Sequence, residues 1–166
     1  MWAEIMRYFS DSPAQTKVVK FLLENGFGVN DRARITCNDV EIPATHIAKA
    51  IGTDRRVVDA TGQRIAELPD LRDLFRYMRV TPDLSRVADT LGLTVITIHP
   101  RNAQEKGIIG AAVGVLHSYN LGIRQIFVND PYFSENPRLV IIIDGTVPPG
   151  VVEQLRGLPQ IKSITI

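Results

Sequence analysis

The chain has 166 residues, 45% of them apolar, with 19 basic and 18 acidic side chains and a formal net charge of +1. That length and apolar fraction suit one medium domain or two small ones, each with a packed core. The charge balance excludes a protein that coats nucleic acid through a general basic field, though not a local basic surface, and the lone Cys37 excludes an internal disulfide framework.

In chain order, "MWAEIMRYFSDSP" carries acids and no apolar block of the kind a signal peptide needs. "SPAQTKVVKFLLENGF" places Val18, Val19, Leu22 and Leu23 at the spacing of an amphipathic helix, closed by Gly26 and Gly28. "RARITCNDVEIP" predicts a short hairpin: Ile35 and Cys37, an Asn38-Asp39 turn, then Val40 and Ile42. "ATHIAKAI" and "DRRVVDATGQRIAEL" are two short helices separated by Gly52-Thr53, with Thr53 in the N-cap position. "DLRDLFRYM" and "PDLSRVADTL" continue as helices.

At Leu91-Gly92 the texture changes. "LTVITIHP" and "IRQIFVND" are β-branched, and "RLVIIIDG" is apolar through its middle, as a strand covered on both faces would be. Its run Leu139 to Ile143 is the longest purely apolar one, far too short to span a membrane, so a soluble cytoplasmic protein is expected. The helix "GIIGAAVGVLHSYN" lies between the first two strands, and "VPPGVVEQLRGL" and "IKSITI" add a last helix and strand. The order βαββαβ is that of the ferredoxin-like split βαβ arrangement, in which right-handed crossovers put both helices on one sheet face. An α+β protein is therefore expected, with a mostly helical, helix-turn-helix-like domain over residues 1–91 and a ferredoxin-like domain over 92–166.

The helix after the first strand of the second half has small residues at Gly107, Gly110, Ala111, Ala112 and Gly114. Each glycine costs a helix roughly 1 kcal/mol, so several together imply close backbone approach or a ligand. His117, Ser118 and Asn120 exclude the membrane-dimer reading of the Gly110/Gly114 pair.

Catalytic signatures are absent: no nucleophile elbow, phosphate loop or dinucleotide fingerprint occurs, and Cys37 lacks a recognisable base. His46, His99 and His117 form no ligand-spaced pair, so no metal is expected, although His99 at a strand end has Asp130 and His117 as conceivable neighbours. An enzyme is the least supported class, and no cofactor is expected.

In the helical half, Ile47, Ile51 and Val58 fall at core positions and Ala48 and Gly52 sit where a helix-turn-helix needs small residues. With Val58, Thr61 and Ile65 inward, Arg56, Asp59, Gln63 and Glu67 face outward and Arg55 lies to one side. Gly62 beside the core face predicts close packing against another helix. Arg55, Arg56 and Gln63 are thus candidate DNA contacts, helped by a ridge of Arg72, Arg76 and Arg79 at i, i+4, i+7 on the next helix. The same ridge reads equally as a solvated face pairing with Asp70 and Asp73.

From "TVITIHP" through "GIIGAAVGVLHSYNLGIRQIFVND" to "IKSITI", the second half resembles an ACT domain, a small ligand-sensing module of amino-acid metabolism. Gly107-Ile108-Ile109 and Leu121-Gly122-Ile123 carry most of the likeness. The family usually has proline where this chain has Lys106, and an acid slightly earlier, to which Glu105 stands nearest. With "EIPATHIAKAIGTDRRVVDAT" and "IRQIFVNDP" included, the whole chain resembles a group of archaeal predicted regulators of amino-acid metabolism containing an ACT domain.

That resemblance implies a homodimer formed side by side, with an amino acid bound where the loop "PRNAQEKGI" meets the partner, and a second contact at Ile123, Arg124 and Gln125. Backbone N–H groups around Gly107 and Ile108 suit a carboxylate. Asn102, Gln104 and Gln125 would orient polar groups, and Lys106 or Arg124 would neutralise charge. The alternative for this stretch is an ordinary exposed loop. For the whole chain the expectation is a small-molecule effector coupled to DNA binding; the alternative is an ACT-type module whose helical half docks a protein.

Overall fold

A helix not foreseen in the sequence, α1 (Trp2–Arg7), begins the computed structural model, which describes residues 2–166 and buries Ile5 on that helix. Ser12 then caps α2 (Pro13–Asn25), its hydroxyl accepting from the Gln15 N–H at 3.4 Å. Pro13 takes the first helical turn, and Gly26 in the left-handed region closes the helix. Val18, Val19, Leu22 and Leu23 form the buried stripe the spacing predicts.

The predicted hairpin is β2 (Ile35–Cys37) and β3 (Val40–Glu41), preceded by β1 (Gly28–Val29), which is too short to announce itself by alternation. The order is β1-β2-β3, antiparallel throughout. Asn38 and Asp39 turn the hairpin with φ of +47° and +71°, the paired positive angles of a type I′ turn.

Helices α3 (Ala44–Ile51), α4 (Arg55–Glu67) and α5 (Pro69–Tyr77) follow, and α4 packs against α2, α3 and α5. The cap of α4 is Asp54 and not Thr53: its carboxylate accepts from the Arg56 N–H at 2.7 Å. Val58, Thr61 and Ile65 are buried as expected, and the Thr61 hydroxyl donates to the Val57 carbonyl at 2.7 Å, which satisfies it inside the helix. Gly62 is a correction. The backbone it touches is no helix but the turn before β2, where a Cβ on Gly62 would run into the Ala33 carbonyl oxygen.

Contacts divide the chain into two units at Thr81/Pro82, upstream of the texture change at Leu91-Gly92. Residues 82–91 pack with the second unit, and they are not the helix expected of "PDLSRVADTL". The Asp83 carboxylate accepts from the Ser85 N–H at 2.8 Å and from the Ser85 hydroxyl in an Asx-type turn, and the Gln125 side chain, distant in sequence, bonds the backbone of Pro82 and Leu84. Only a single 3₁₀ turn forms, at Asp89–Leu91.

The rest of this unit is β4 (Leu93–Pro100), α6 (Ile108–Ser118), β5 (Ile123–Val128), β6 (Leu139–Asp144), α7 (Pro149–Arg156) and β7 (Ile161–Thr165). The βαββαβ order is the one read from sequence, and the strands lie antiparallel as β5-β6-β4-β7, with β6 and β4 central. On one face, Ile96, Ile98, Leu139, Ile141 and Ile143 bury against α6 and α7 through Ile108, Ala112, Leu116, Val151 and Leu155. On the other, Val140 and Ile142 are also buried, at 4% and 0% exposure. Gln125 pairs with Ile142, so it shares that face, and its side chain grips the 82–91 segment: it donates to the Pro82 carbonyl at 2.7 Å and accepts from the Leu84 N–H at 3.1 Å. The segment, with Ala88 1% exposed, is thus a strap across the face the helices leave open.

Gly62→Ala is expected to destabilise the protein by about 1–3 kcal/mol, because the methyl can enter only by displacing the Ala33 turn. A urea-unfolding midpoint unchanged by the substitution would show that the turn yields freely.

Candidate functional site

The end of β4, the start of α6 and the loop joining β5 to β6 surround a cavity of about 560 Å³, within the size range of small-molecule sites. Gly107, with φ +90°, occupies the N-cap of α6, and no side chain caps the helix. The first-turn N–H groups are therefore left for another acceptor. Glu105, Lys106, Asp130 and Arg138 bring two acids and two bases to the walls, while Ile108 and Val128 supply apolar surface.

Of the residues expected to bind ligand, Lys106, Gly107 and Ile108 line this cavity. Asn102 and Gln104 do not; the Asn102 side chain accepts from the Gln104 N–H at 3.0 Å and shapes its own loop. Ile123, Arg124 and Gln125 stand at the opposite end of α6, a helix whose length separates the two groups by roughly 16 Å. There Arg124 pairs with Asp144 at 2.8 Å, and Gln125 is committed to the strap. Within one chain the expected cluster is split. The sequence pointed to Asp130 only as a neighbour of His99 and not to Arg138 at all, because nothing in a turn-rich loop indicates which helix start it will face.

The glycines of α6 do not mark close approach within the chain. A Cβ at Gly107, Gly110 or Gly114 would meet nothing within 4 Å. Near them the edge strand β5 exposes Ile126 and Val128 at 40% and 53%, and α6 exposes Ile109 at 46%.

In the helical unit, Arg55 and Arg56 are exposed at the start of α4, with no ion pair among the described residues. Gln63 is exposed too, but its amide donates to Glu67 at 2.8 Å. The arginine ridge is a correction. Helix α5 stops at Tyr77, so Arg79 lies beyond it and instead donates to the Arg76 and Met78 carbonyls, while pairing with Asp39 at 3.0 Å. Arg76 pairs with Asp31 at 2.7 Å, and Arg72 lies 4.0 Å from Asp73. Asp70, expected to share in that pairing, accepts from the Tyr8 hydroxyl at 2.7 Å, and this raises the phenol above its ordinary pKa.

Among the described residues no cluster of three or more His, Cys, Asp and Glu side chains converges as a metal site would, and no helix is long and apolar enough to cross a membrane. His117 is exposed on α6. No family model and no curated protein matches the chain. One solved structure, described as the crystal structure of PH0061, is similar at 12% identity and a TM-score of 0.31, over 93% of this chain and 88% of that one.

The strap is open to direct measurement. Gln125→Ala is expected to speed amide hydrogen exchange at Leu84, with exchange in α6 unchanged. Equal Leu84 rates in the two proteins would mean that apolar packing alone holds the strap. Asp83 adds a pH dependence. The Ser85 hydroxyl bond, then the Ser85 N–H bond, lower its carboxyl below the ordinary 3.8. Its contribution is complete above that value and is lost as pH falls through the lowered one. Leu84 exchange, corrected for intrinsic rate, should therefore rise only at strongly acid pH.

Proposed function

We propose that this chain is a ligand-responsive regulator of amino-acid metabolism, acting in the cytoplasm and not an enzyme. In this reading Pro82–Ile166 is an ACT-like sensor of a free amino acid, and the first unit is a helix-turn-helix-like DNA-binding domain. The observation that carries it is the cavity at the start of α6. Both signs of charge meet uncapped helix N–H groups there, which suits a ligand carrying an ammonium and a carboxylate together.

The dimer follows from the same end of the fold. An edge strand with exposed Ile126 and Val128 invites pairing with another strand. The α6 glycines, open on their outer side, would let a second α6 approach closely. If two β5 strands pair antiparallel about a two-fold axis, the start of one lies beside the end of the other. That pairing would bring the start of one copy's β5, at Ile123 and Arg124, toward the cavity of its neighbour, while Gln125 stays on the opposite sheet face. The pairing would also set the strap's anchor, Gln125, at the interface, giving effector binding a route to the residues that follow Thr81. Coupling of this kind is typically worth about 1–3 kcal/mol.

For DNA, the support lies in α4. Arg55 and Arg56 project uncompensated from its first turn, the part of a recognition helix that enters the major groove. A second reading, in which the helical unit docks a protein, is favoured by the ion pairs that hold Arg72, Arg76 and Arg79.

In a thermal-shift screen of the twenty amino acids, the true effector at one hundred times its Kd should add about 2.7 kcal/mol of stability, and Lys106→Glu should remove the gain. Uniform silence across the screen would end the sensor reading. On duplex DNA, salt-sensitive binding should be lost in the Arg55→Glu/Arg56→Glu variant and kept in Arg76→Gln. Binding that is absent from the parent protein at low ionic strength would leave the protein-docking reading in its place.

A further inference from the structure

The pairing of β4 with β7 contains an irregularity that turns several polar side chains toward one concavity. Thr97 pairs with Thr165 and His99 with Ser163, so these four share the sheet face away from α6 and α7. The next pair is Pro100 with Ile161, which leaves Lys162 without an opposite residue. Ile161 and Ile164 both pack on the helix side although they stand at i and i+3, an odd offset that strict alternation would put on opposite faces. The bulge reconciles them: both isoleucines enter the core, and Lys162 stays with Ser163 at the outer concavity. Without it, Lys162 would point its ammonium into an apolar core.

That concavity has a volume of about 350 Å³ and is walled by His99, Arg101, Lys162, Ser163, Thr165 and Glu135. Arg101 is seated by its own backbone and side chain: its N–H donates to the Gln160 carbonyl at 2.8 Å and its Nε to the Pro159 carbonyl at 3.2 Å. Its terminal guanidinium nitrogens have no hydrogen bond or ion pair among the described residues. Elsewhere Arg34, Arg64, Arg76, Arg79 and Arg124 each have a carboxylate partner. Arg101 and Lys162 have none among the described residues, and Glu135 is the one acid in the wall.

We propose that this concavity binds the phosphate group of a small phosphorylated molecule, separately from the amino-acid cavity. A guanidinium fork, an ammonium, an imidazole and two hydroxyls offer more donors than a carboxylate accepts, whereas a phosphate has three strong acceptor oxygens. A volume near the lower end of ligand sites fits a small molecule and leaves no room for a duplex. The two cavities share only the wall of Pro100, Ala103 and Pro137.

The test is a titration of the full-length protein with inorganic phosphate at constant ionic strength, followed by backbone and histidine side-chain NMR. Saturable shifts are expected at His99, Ser163 and Thr165, and acetate should bind more weakly. Arg101→Met with Lys162→Met should weaken phosphate about tenfold or more. Glu135→Gln should tighten it several-fold, an outcome that misfolding cannot imitate. Shifts that never saturate, an equal response to acetate, affinities indifferent to all three substitutions, or shifts confined to residues 105–108 would each overturn the proposal. Tighter binding of a short DNA duplex at the same amides would overturn its assignment to a small molecule.

Discussion

The second unit depends on one constraint: strand β6 is apolar on both faces and must be shielded on both. Leu139, Ile141 and Ile143 face the two helices, and Val140 and Ile142 face away from them. A four-stranded sheet with both helices on one side leaves the other side wet, at a cost of roughly 25 cal/mol for each Å² of apolar surface left in water. The strap at 82–91 answers this, and Gln125 ties it down with a donor and an acceptor from one side chain. Residues that look like a link between halves are thus part of the second unit's core covering.

Both concavities of this unit arise where strands end or slip. One forms where β4 gives way to α6 through a glycine in the left-handed region, and the other where β7 carries an extra residue opposite the last two residues of β4. Regular pairing consumes backbone donors and acceptors; caps and bulges release them and redirect side chains. Polar groups therefore concentrate at the same end of the sheet, on its two sides. The far end, by contrast, is closed by internal bonds: Arg124 to Asp144, and Gln125 to the strap.

In the helical unit the charges show how little a count of arginines says by itself. Arg34, Arg64, Arg76 and Arg79 are each matched by an aspartate distant in sequence, Asp59, Asp11, Asp31 and Asp39. Exposed pairs of this kind contribute little stability, but each one lowers the positive potential a polyanion would meet. Arg55 and Arg56, which helix geometry aims outward from the first turn of α4, have no ion pair among the described residues.

The α+β character, the βαββαβ order and the inward faces of α2, α4 and β6 were legible in the sequence, because period and capping are properties of neighbouring residues. Local chemistry also announced the I′ turn at Asn38-Asp39, with two residues that tolerate positive φ. Other features could not be read that way. Residues 82–91, held by Gln125, formed no helix, Gly62 met a turn and not a helix, β1 existed only by pairing with β2, and the ligand candidates around Gly107 and Gln125 fell at opposite ends of α6. Each of these is settled by which distant backbone or side chain arrives alongside, a matter of strand order and packing. Sequence by itself determined most of the elements and the buried faces of α2, α4 and β6; the tertiary structure decided β1, the strap at 82–91, which charges are paired, which concavities form, and which residues share them.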